Sequence, residues 1–281
     1  VVEGVGASEI RSMMTEGVLS PSRALGQNFL TDPNISEKIA HLAAETGCRN
    51  SLEIGPGLGS LTVFLAGYFD RVVAIDLDRY VIDPLHAVLR RRDITNVEVV
   101  HADALNDDIG EYLEPDKDYV LAANLPYNVA SHLIVKVLER YPMVGRLVFM
   151  VQHEVGQRIC ATVSSKDYSA LSVKVRYFGD PRVVMKVPPS VFVPKPKVNS
   201  VVVLIDRCRE RNVSTSEYNQ IFALVRTGFS HRRQMLRRSL QSFGGEKLLE
   251  AAGLDPTLRA ENLDVEDWIH LGKVALLESI V

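Results

Sequence analysis

The sequence predicts an α/β fold, a mostly parallel sheet with helices on both faces, followed by a small all-helical domain. Two observations carry this. Between Ser51 and Val151, short apolar runs alternate with stretches whose apolar residues fall at helical spacing, the rhythm of a parallel sheet covered on both sides. Beyond Arg207 no further β-signal occurs, and the remaining periodic stretches are helical. The boundary is expected near Asp206, giving domains 1–206 and 207–281.

In chain order, Ile35, Ile39, Leu42 and Ala43 follow the turn Asp32-Pro33-Asn34 and predict a helix over 35–44. Strands are expected at 51–54, 71–75, 97–100, 119–123 and 147–151, with helices at 61–68, 80–91, 131–140 and 154–162. After Lys174 the pattern changes: strands at 183–187 and 201–205 flank the loop P-P-S-V-F-V-P-K-P-K, Pro188 to Lys197. Tail helices are expected at 216–227, 232–243, 246–252 and 265–279, the last holding the only tryptophan, Trp268.

Composition narrows the function classes. Of 281 residues, 46% are hydrophobic and 24% charged, the balance of a soluble globular enzyme with a full core. No apolar run approaches the ~20 residues of a membrane helix, and the N-terminus lacks the basic start and apolar core of a secretory signal. Cys48, Cys160 and Cys208 are far apart without C-x-x-C spacing, so a reducing compartment is expected rather than a disulfide framework. The histidines show no metal-ligand spacing, and no metal is expected. A net charge of −3 decides nothing about nucleic acid, but the basic run R-T-G-F-S-H-R-R-Q-M-L-R-R, Arg226 to Arg238, is a candidate footprint for phosphate. A solvated helix face is the other reading of such a run.

The chemistry sits where strands end. E-I-G-P-G-L-G, Glu53 to Gly59, closes the first sheet strand; its glycines allow a tight turn and close approach of a ligand to the backbone. The spacing is G-x-G-x-G, and Pro56 removes a donor that a pyrophosphate would use, which argues against a nicotinamide dinucleotide. Asp76 closes V-V-A-I-D about 20 residues on, where a carboxylate accepts both hydrogen bonds of a ribose diol. Asp103 closes V-V-H-A-D, placed to accept from an adenine amine, with the backbone N–H of Ala104 beside it. Singly, each aspartate reads as a helix N-cap. Together, along the carboxyl edge of an open α/β sheet, they point to an adenosyl ligand. The constellation resembles the S-adenosylmethionine site of class I methyltransferases.

At the fourth strand end stands N-L-P-Y-N, Asn124 to Asn128. The amide oxygen of Asn124 and the carbonyl of Leu125 are two acceptors for the two hydrogens of an adenine amine. Pro126 fixes the backbone, and Tyr127 offers a ring on which a base can stack, worth ~1–3 kcal/mol. A plain Asn-Pro turn is the competing reading.

Further matches run along nearly the whole chain: L-G-Q-N-F-L (Leu25 to Leu30), A-I-D-L-D-R (Ala74 to Arg79), V-Q-H-E-V-G-Q-R-I (Val151 to Ile159), Y-S-A-L-S-V (Tyr168 to Val173), P-P-S-V-F-V-P-K-P-K-V-N-S (Pro188 to Ser200) and F-S-H-R-R-Q-M-L-R (Phe229 to Arg237). With the strand-end motifs, they resemble the KsgA family of small-subunit ribosomal RNA adenine N6-dimethyltransferases. The resemblance implies a class I methyltransferase (Rossmann-like) first domain. S-adenosylmethionine is the implied methyl donor, leaving S-adenosylhomocysteine. The implied target is two adjacent adenosines in the loop of the hairpin near the 3′ end of 16S rRNA, in the small subunit or an assembly intermediate.

By the same resemblance Gln27, Asn28 and Leu30 close over the methionine end of the cofactor, and Glu53, Gly55 and Gly57 line it. Asp76 and Leu77 take the ribose side, Asp103 and Ala104 the adenine. Asn124 and Leu125 grip the target amine on a backbone fixed by Pro126, with Tyr127 on one face of the base and Phe192 on the other; Phe192 also reads as a loop anchor. Arg226, His231, Arg232, Arg233, Arg237 and Arg238 contact RNA backbone. A monomeric cytoplasmic enzyme without membrane association is implied. Asp76 stands where the family commonly has Glu, and His153 and Gln234 where Lys is common, which puts ribose affinity and phosphate contacts in doubt but no catalytic group. The rivals are a large-subunit rRNA adenine methyltransferase of the antibiotic-resistance type, a non-catalytic assembly or transcription-factor relative, and a DNA adenine methyltransferase.

Overall fold

A run such as Arg71-Val-Val-Ala-Ile-Asp has no polar face to show to water, and every residue from Val72 to Asp76 is buried. Such strands belong at the centre of a parallel sheet. The computed structural model describes residues 4–15, 27–208 and 211–278. Leu25, Gly26 and Ser279, which the sequence reading includes in a motif and a helix, lie outside the described residues.

The chain runs through α1 (Ala7–Thr15), β1 (Phe29–Leu30), α2 (Pro33–Ala44), β2 (Asn50–Ile54), α3 (Thr62–Tyr68), β3 (Arg71–Asp76), α4 (Arg79–Arg91) and β4 (Val97–His101). Next come β5 (Tyr119–Asn124), α5 (Ala130–Arg140), β6 (Val144–Gln152), α6 (His153–Cys160), α7 (Ala170–Phe178), β7 (Gly179–Val187), β8 (Phe192–Val193) and β9 (Ser200–Arg207). Helices α8 (Thr215–Ser230), α9 (Leu236–Ser239), α10 (Glu246–Ala251) and α11 (Val265–Glu278) complete it.

The main sheet has the order β4-β3-β2-β5-β6-β9-β7. From β4 to β6 all neighbours are parallel, and β9 lies antiparallel to β6. The chain leaves β2 toward β3 and β4 on one side, then returns to lay β5 and β6 on the other. That reversal opens a crevice at the carboxyl ends of β2 and β5, where open α/β sheets bind ligands. Helix α4 shows how a flanking helix is specified: Asp78 caps it by accepting from Tyr80 N–H at 3.0 Å, and Val81, Leu85, Val88 and Leu89 bury one face. No helix among the described residues is long and apolar enough to cross a membrane.

Two compact units emerge: residues 1–156 with 181–207, and residues 157–180 with 208–281. The expected boundary at Asp206 therefore misplaces 157–180, which join the second unit. The reason is apolar. Tyr168, Val173 and Tyr177 are buried in the same core as Phe222, Leu224 and Trp268, and the Tyr168 hydroxyl donates to the Leu263 carbonyl at 3.2 Å. Helix α7 goes unread because Val173-Lys-Val175-Arg-Tyr177 alternates with period two, a strand signal that tertiary packing overrides. The helix expected over 232–243 shrinks to α9. The Leu236 N–H donates to the Leu258 carbonyl at 2.7 Å and the Arg237 N–H to the Pro256 carbonyl at 3.3 Å, so bonds to a distant segment replace helical ones there.

Candidate active site

Where β2, β3, β4 and β5 end, their loops wall a cleft of about 1190 Å³, its open mouth included. The glycine loop forms its floor. Gly57 has φ +53° and Gly59 φ +86°, backbone that side chains disfavour. A Cβ on Gly57 would come within 2.9 Å of the Phe29 ring, and one on Gly59 within 2.8 Å of Leu85. The Gly57 N–H donates to Asp76 at 3.1 Å, and the Asp78 N–H to the other Asp76 oxygen at 2.9 Å. Asp76 thus braces the loop while keeping lone pairs for hydroxyl donors. Burial raises its carboxyl above the ordinary value, and the N–H groups of Asp78 and Gly57 partly offset that.

Glu53 lies at the back of the cleft, 1% exposed. Its Oε2 has no hydrogen-bond partner, an unusual state for a buried polar atom. Burial, with the Asp76 carboxylate adding, pushes its carboxyl up to about 8.

Asp103 does more local work than expected. Its carboxylate accepts from Leu105 N–H at 2.8 Å, Asn106 N–H at 3.2 Å and Asn106 Nδ2 at 2.8 Å. Burial opposes its charge, but the bonds from Asn106 and Leu105 prevail and hold the carboxyl below the ordinary range. The turn it closes is tied down by Lys136, which donates to the carbonyls of Ala104, at 2.9 Å, and Asp107.

At the end of β5, Asn124 Nδ2 donates to the Asn28 carbonyl at 3.1 Å. That bond settles which way the amide faces: Oδ1 is left as an acceptor on a residue of the cleft wall. Tyr127 is half-buried, its hydroxyl 2.7 Å from Ser200 Oγ, and burial raises its phenol above the ordinary value. Gln27 Nε2 donates to Asp78 at 2.8 Å. Residues 27 and 28 therefore strap the end of β3 to the end of β5.

The cleft brings together every expected cofactor residue, namely Gln27, Asn28, Leu30, Glu53, Gly55, Gly57, Asp76, Leu77, Asp103, Ala104 and Asn124, and also Leu125, Pro126 and Tyr127. Phe192 is the exception. It pairs with Leu30 across β8 and β1, is 2% exposed and packs in the core, which supports the anchor reading. Asp78 and Ser200, missed by the sequence reading, fix Gln27 and Tyr127. The spacing D-L-D at Asp76–Asp78 is the one signal for Asp78.

The basic run belongs to the second unit. Arg226, His231, Arg233 and Arg238 are exposed. Arg232 is held by Glu261 at 2.6 Å and the Ser165 carbonyl at 3.3 Å, and Arg237 lies 3.7 Å from Glu246.

A glycine loop held at positive φ at Gly55 and Gly57, a buried carboxyl with an unspent oxygen, an acidic residue at the next strand end and an Asn-Leu-Pro-Tyr wall fit S-adenosylmethionine. The fold and site define a class I S-adenosylmethionine-dependent methyltransferase. The profile of the family "Ribosomal RNA adenine dimethylase" matches residues 20–275, and the chain belongs to that family. It is 40% identical to ribosomal RNA small subunit methyltransferase A of Acidothermus cellulolyticus, over 97% of this chain and 95% of that one. The protein of the same name from Moorella thermoacetica is also 40% identical, over 93% and 95%. Among solved structures, a dimethyladenosine transferase from Plasmodium falciparum superposes with a TM-score of 0.76 at 28% identity, covering 89% of this chain and 96% of that one. The 23S rRNA methyltransferase ErmE superposes at 0.67 with 24% identity, over 88% and 98%, which shows the shared fold.

Proposed function

We propose that this chain transfers methyl groups from S-adenosylmethionine to N6 of two adjacent adenosines in the hairpin loop near the 3′ end of small-subunit rRNA, giving N6,N6-dimethyladenosines. The observation that carries the reading is the Asn124 amide, turned by Asn28 so that Oδ1 serves as an acceptor beside Leu125. Bound S-adenosylmethionine supplies an electrophilic methyl on a sulfonium. Asn124 Oδ1 and the Leu125 carbonyl accept the two amine hydrogens and so orient the nitrogen lone pair. Tyr127, pinned by Ser200, supports the ring of a base that has left its stack. Asp76 and Asp103 hold ribose and adenine of the cofactor. Positioning and water exclusion carry the rate, and no strong base is required. The exposed cations of the second unit, Arg226, His231, Arg233 and Arg238, contact RNA backbone, which positions rather than reads sequence. The enzyme works as a monomer in the cytoplasm, on the small subunit or its assembly intermediate.

The test incubates purified protein and labelled S-adenosylmethionine with unmethylated small subunits, large subunits, naked rRNA and DNA, and locates the methyl groups by mass spectrometry. Dimethyladenosine at two adjacent small-subunit positions is the expected result. Label confined to the large subunit or to DNA would overturn the assignment of substrate, and no transfer to any of them would overturn catalysis.

A further inference from the structure

The loop between β8 and β9 reads Pro194-Lys195-Pro196-Lys197. Both lysines are exposed, and neither makes a hydrogen bond or ion pair with any described residue. The loop is nonetheless firmly seated. At one end Leu30 pairs with Phe192, and the Thr31 N–H donates to the Val191 carbonyl at 2.8 Å. At the other end the His153 N–H donates to the Asn199 carbonyl at 3.0 Å, and Ser200 Oγ holds the Tyr127 hydroxyl. The alternating prolines fix φ and shrink the entropy lost when the lysines engage a ligand.

Topology places this loop at the edge where the clamp lies. Strand β9 is antiparallel to β6, with Ser200 opposite Gln152, so β9 begins at the carboxyl ends of β5 and β6. Lys197 lies three positions before Ser200, at most ~11 Å of backbone away. The loop leads into β9, two strands beyond β5 in the sheet order, and its two uncompensated positive charges attract phosphate.

We propose that Lys195 and Lys197 bind the backbone phosphates that flank the adenosine held at Asn124 and Tyr127, an inference that rests on the methyl-transfer reading for the identity of that nucleotide. A base turned out of its stack carries its adjacent phosphates to the rim of the pocket. Lysine serves there as a point charge indifferent to sequence.

The experiment measures filter binding of the unmethylated small-subunit hairpin RNA, without cofactor, across roughly 50–200 mM salt. It compares wild type, the double variant K195A/K197A and the double variant K195R/K197R. Each single-strand phosphate contact contributes about 0.7 to the slope of log affinity against log salt. The alanine pair should therefore lower that slope by about 1.4 and weaken binding roughly tenfold or more near 0.1 M salt. The arginine pair should keep both near wild type, and cofactor affinity should be the same in all three, showing intact folding of the cleft. An unchanged slope in the alanine pair overturns the proposal, as does equal loss in the arginine pair. Methyl transfer by the wild type is scored separately: a reduced slope with no transfer would leave the phosphate anchor standing and remove the catalytic reading.

Discussion

Glu53→Gln isolates a proton held inside the cleft. Burial, with Asp76 adding, lifts the Glu53 carboxyl from 4.5 to about 8, so the folded chain carries it neutral at neutral pH. Below 4.5 the folded and unfolded chains both hold the proton, and the stability tied to the neutral form is fully present. As pH rises past that value the unfolded chain releases its proton while the folded chain does not. Stability then falls by about 1.4 kcal/mol per pH unit until the buried group ionises near 8. The full swing is roughly 4–5 kcal/mol. Glutamine keeps the shape and cannot titrate, and the other ionising groups are common to both proteins. Urea unfolding of the two proteins from about pH 5 to about pH 9 should show the variant gaining about 4 kcal/mol relative to wild type as pH rises. A difference that stays flat within about 0.5 kcal/mol over that range would refute the reasoning.

Gly57→Ala forces a side chain into φ +53° and against Phe29; a cost of about 1–2 kcal/mol should appear as a roughly tenfold rise in cofactor Kd by calorimetry. Tyr127→Phe removes the bond to Ser200, worth about 1 kcal/mol, and should cut kcat/KM about fivefold. Tyr127→Ala should lose a further ~1–3 kcal/mol as stacking disappears. Phe192→Ala should destabilise by about 3–5 kcal/mol in urea, and Phe192→Leu by less than about 1.5 kcal/mol. Methyl transfer abolished in the stable leucine variant would show that the ring meets the base after all.

Much of the cleft is legible in the sequence because parallel topology forces successive strand ends to one edge. Glu53, Asp76, Asp103 and Asn124 are far apart in the chain, yet each stands at or beside the end of a strand, and that position brings them together. Partnerships that obey no local pattern are not legible. Gln27 reaches Asp78 across 51 positions, and Tyr127 reaches Ser200 across 73, through contacts that exist only once the sheet is built. Phe192 shows a different limit: hydropathy marks an aromatic ring as buried on binding or buried on folding without distinguishing the two. The helix α7 illustrates a third, where a short segment's strand-like alternation yields to the surface it packs on.

The assignment of residues 157–180 to the second unit has a practical consequence for anyone dissecting the protein. A single cut after residue 207 does not yield two natural pieces. The N-terminal fragment would keep Tyr168, Val173 and Tyr177 but lose Phe222, Leu224 and Trp268, against which they are buried, leaving sticky aromatic surface in water. The C-terminal fragment would lack part of its own interior. Fragments made this way should aggregate for reasons unrelated to either half's chemistry. The chain leaves the first unit after residue 156 and returns to it at 181, so the middle segment completes its core only with residues that lie far toward the C-terminus.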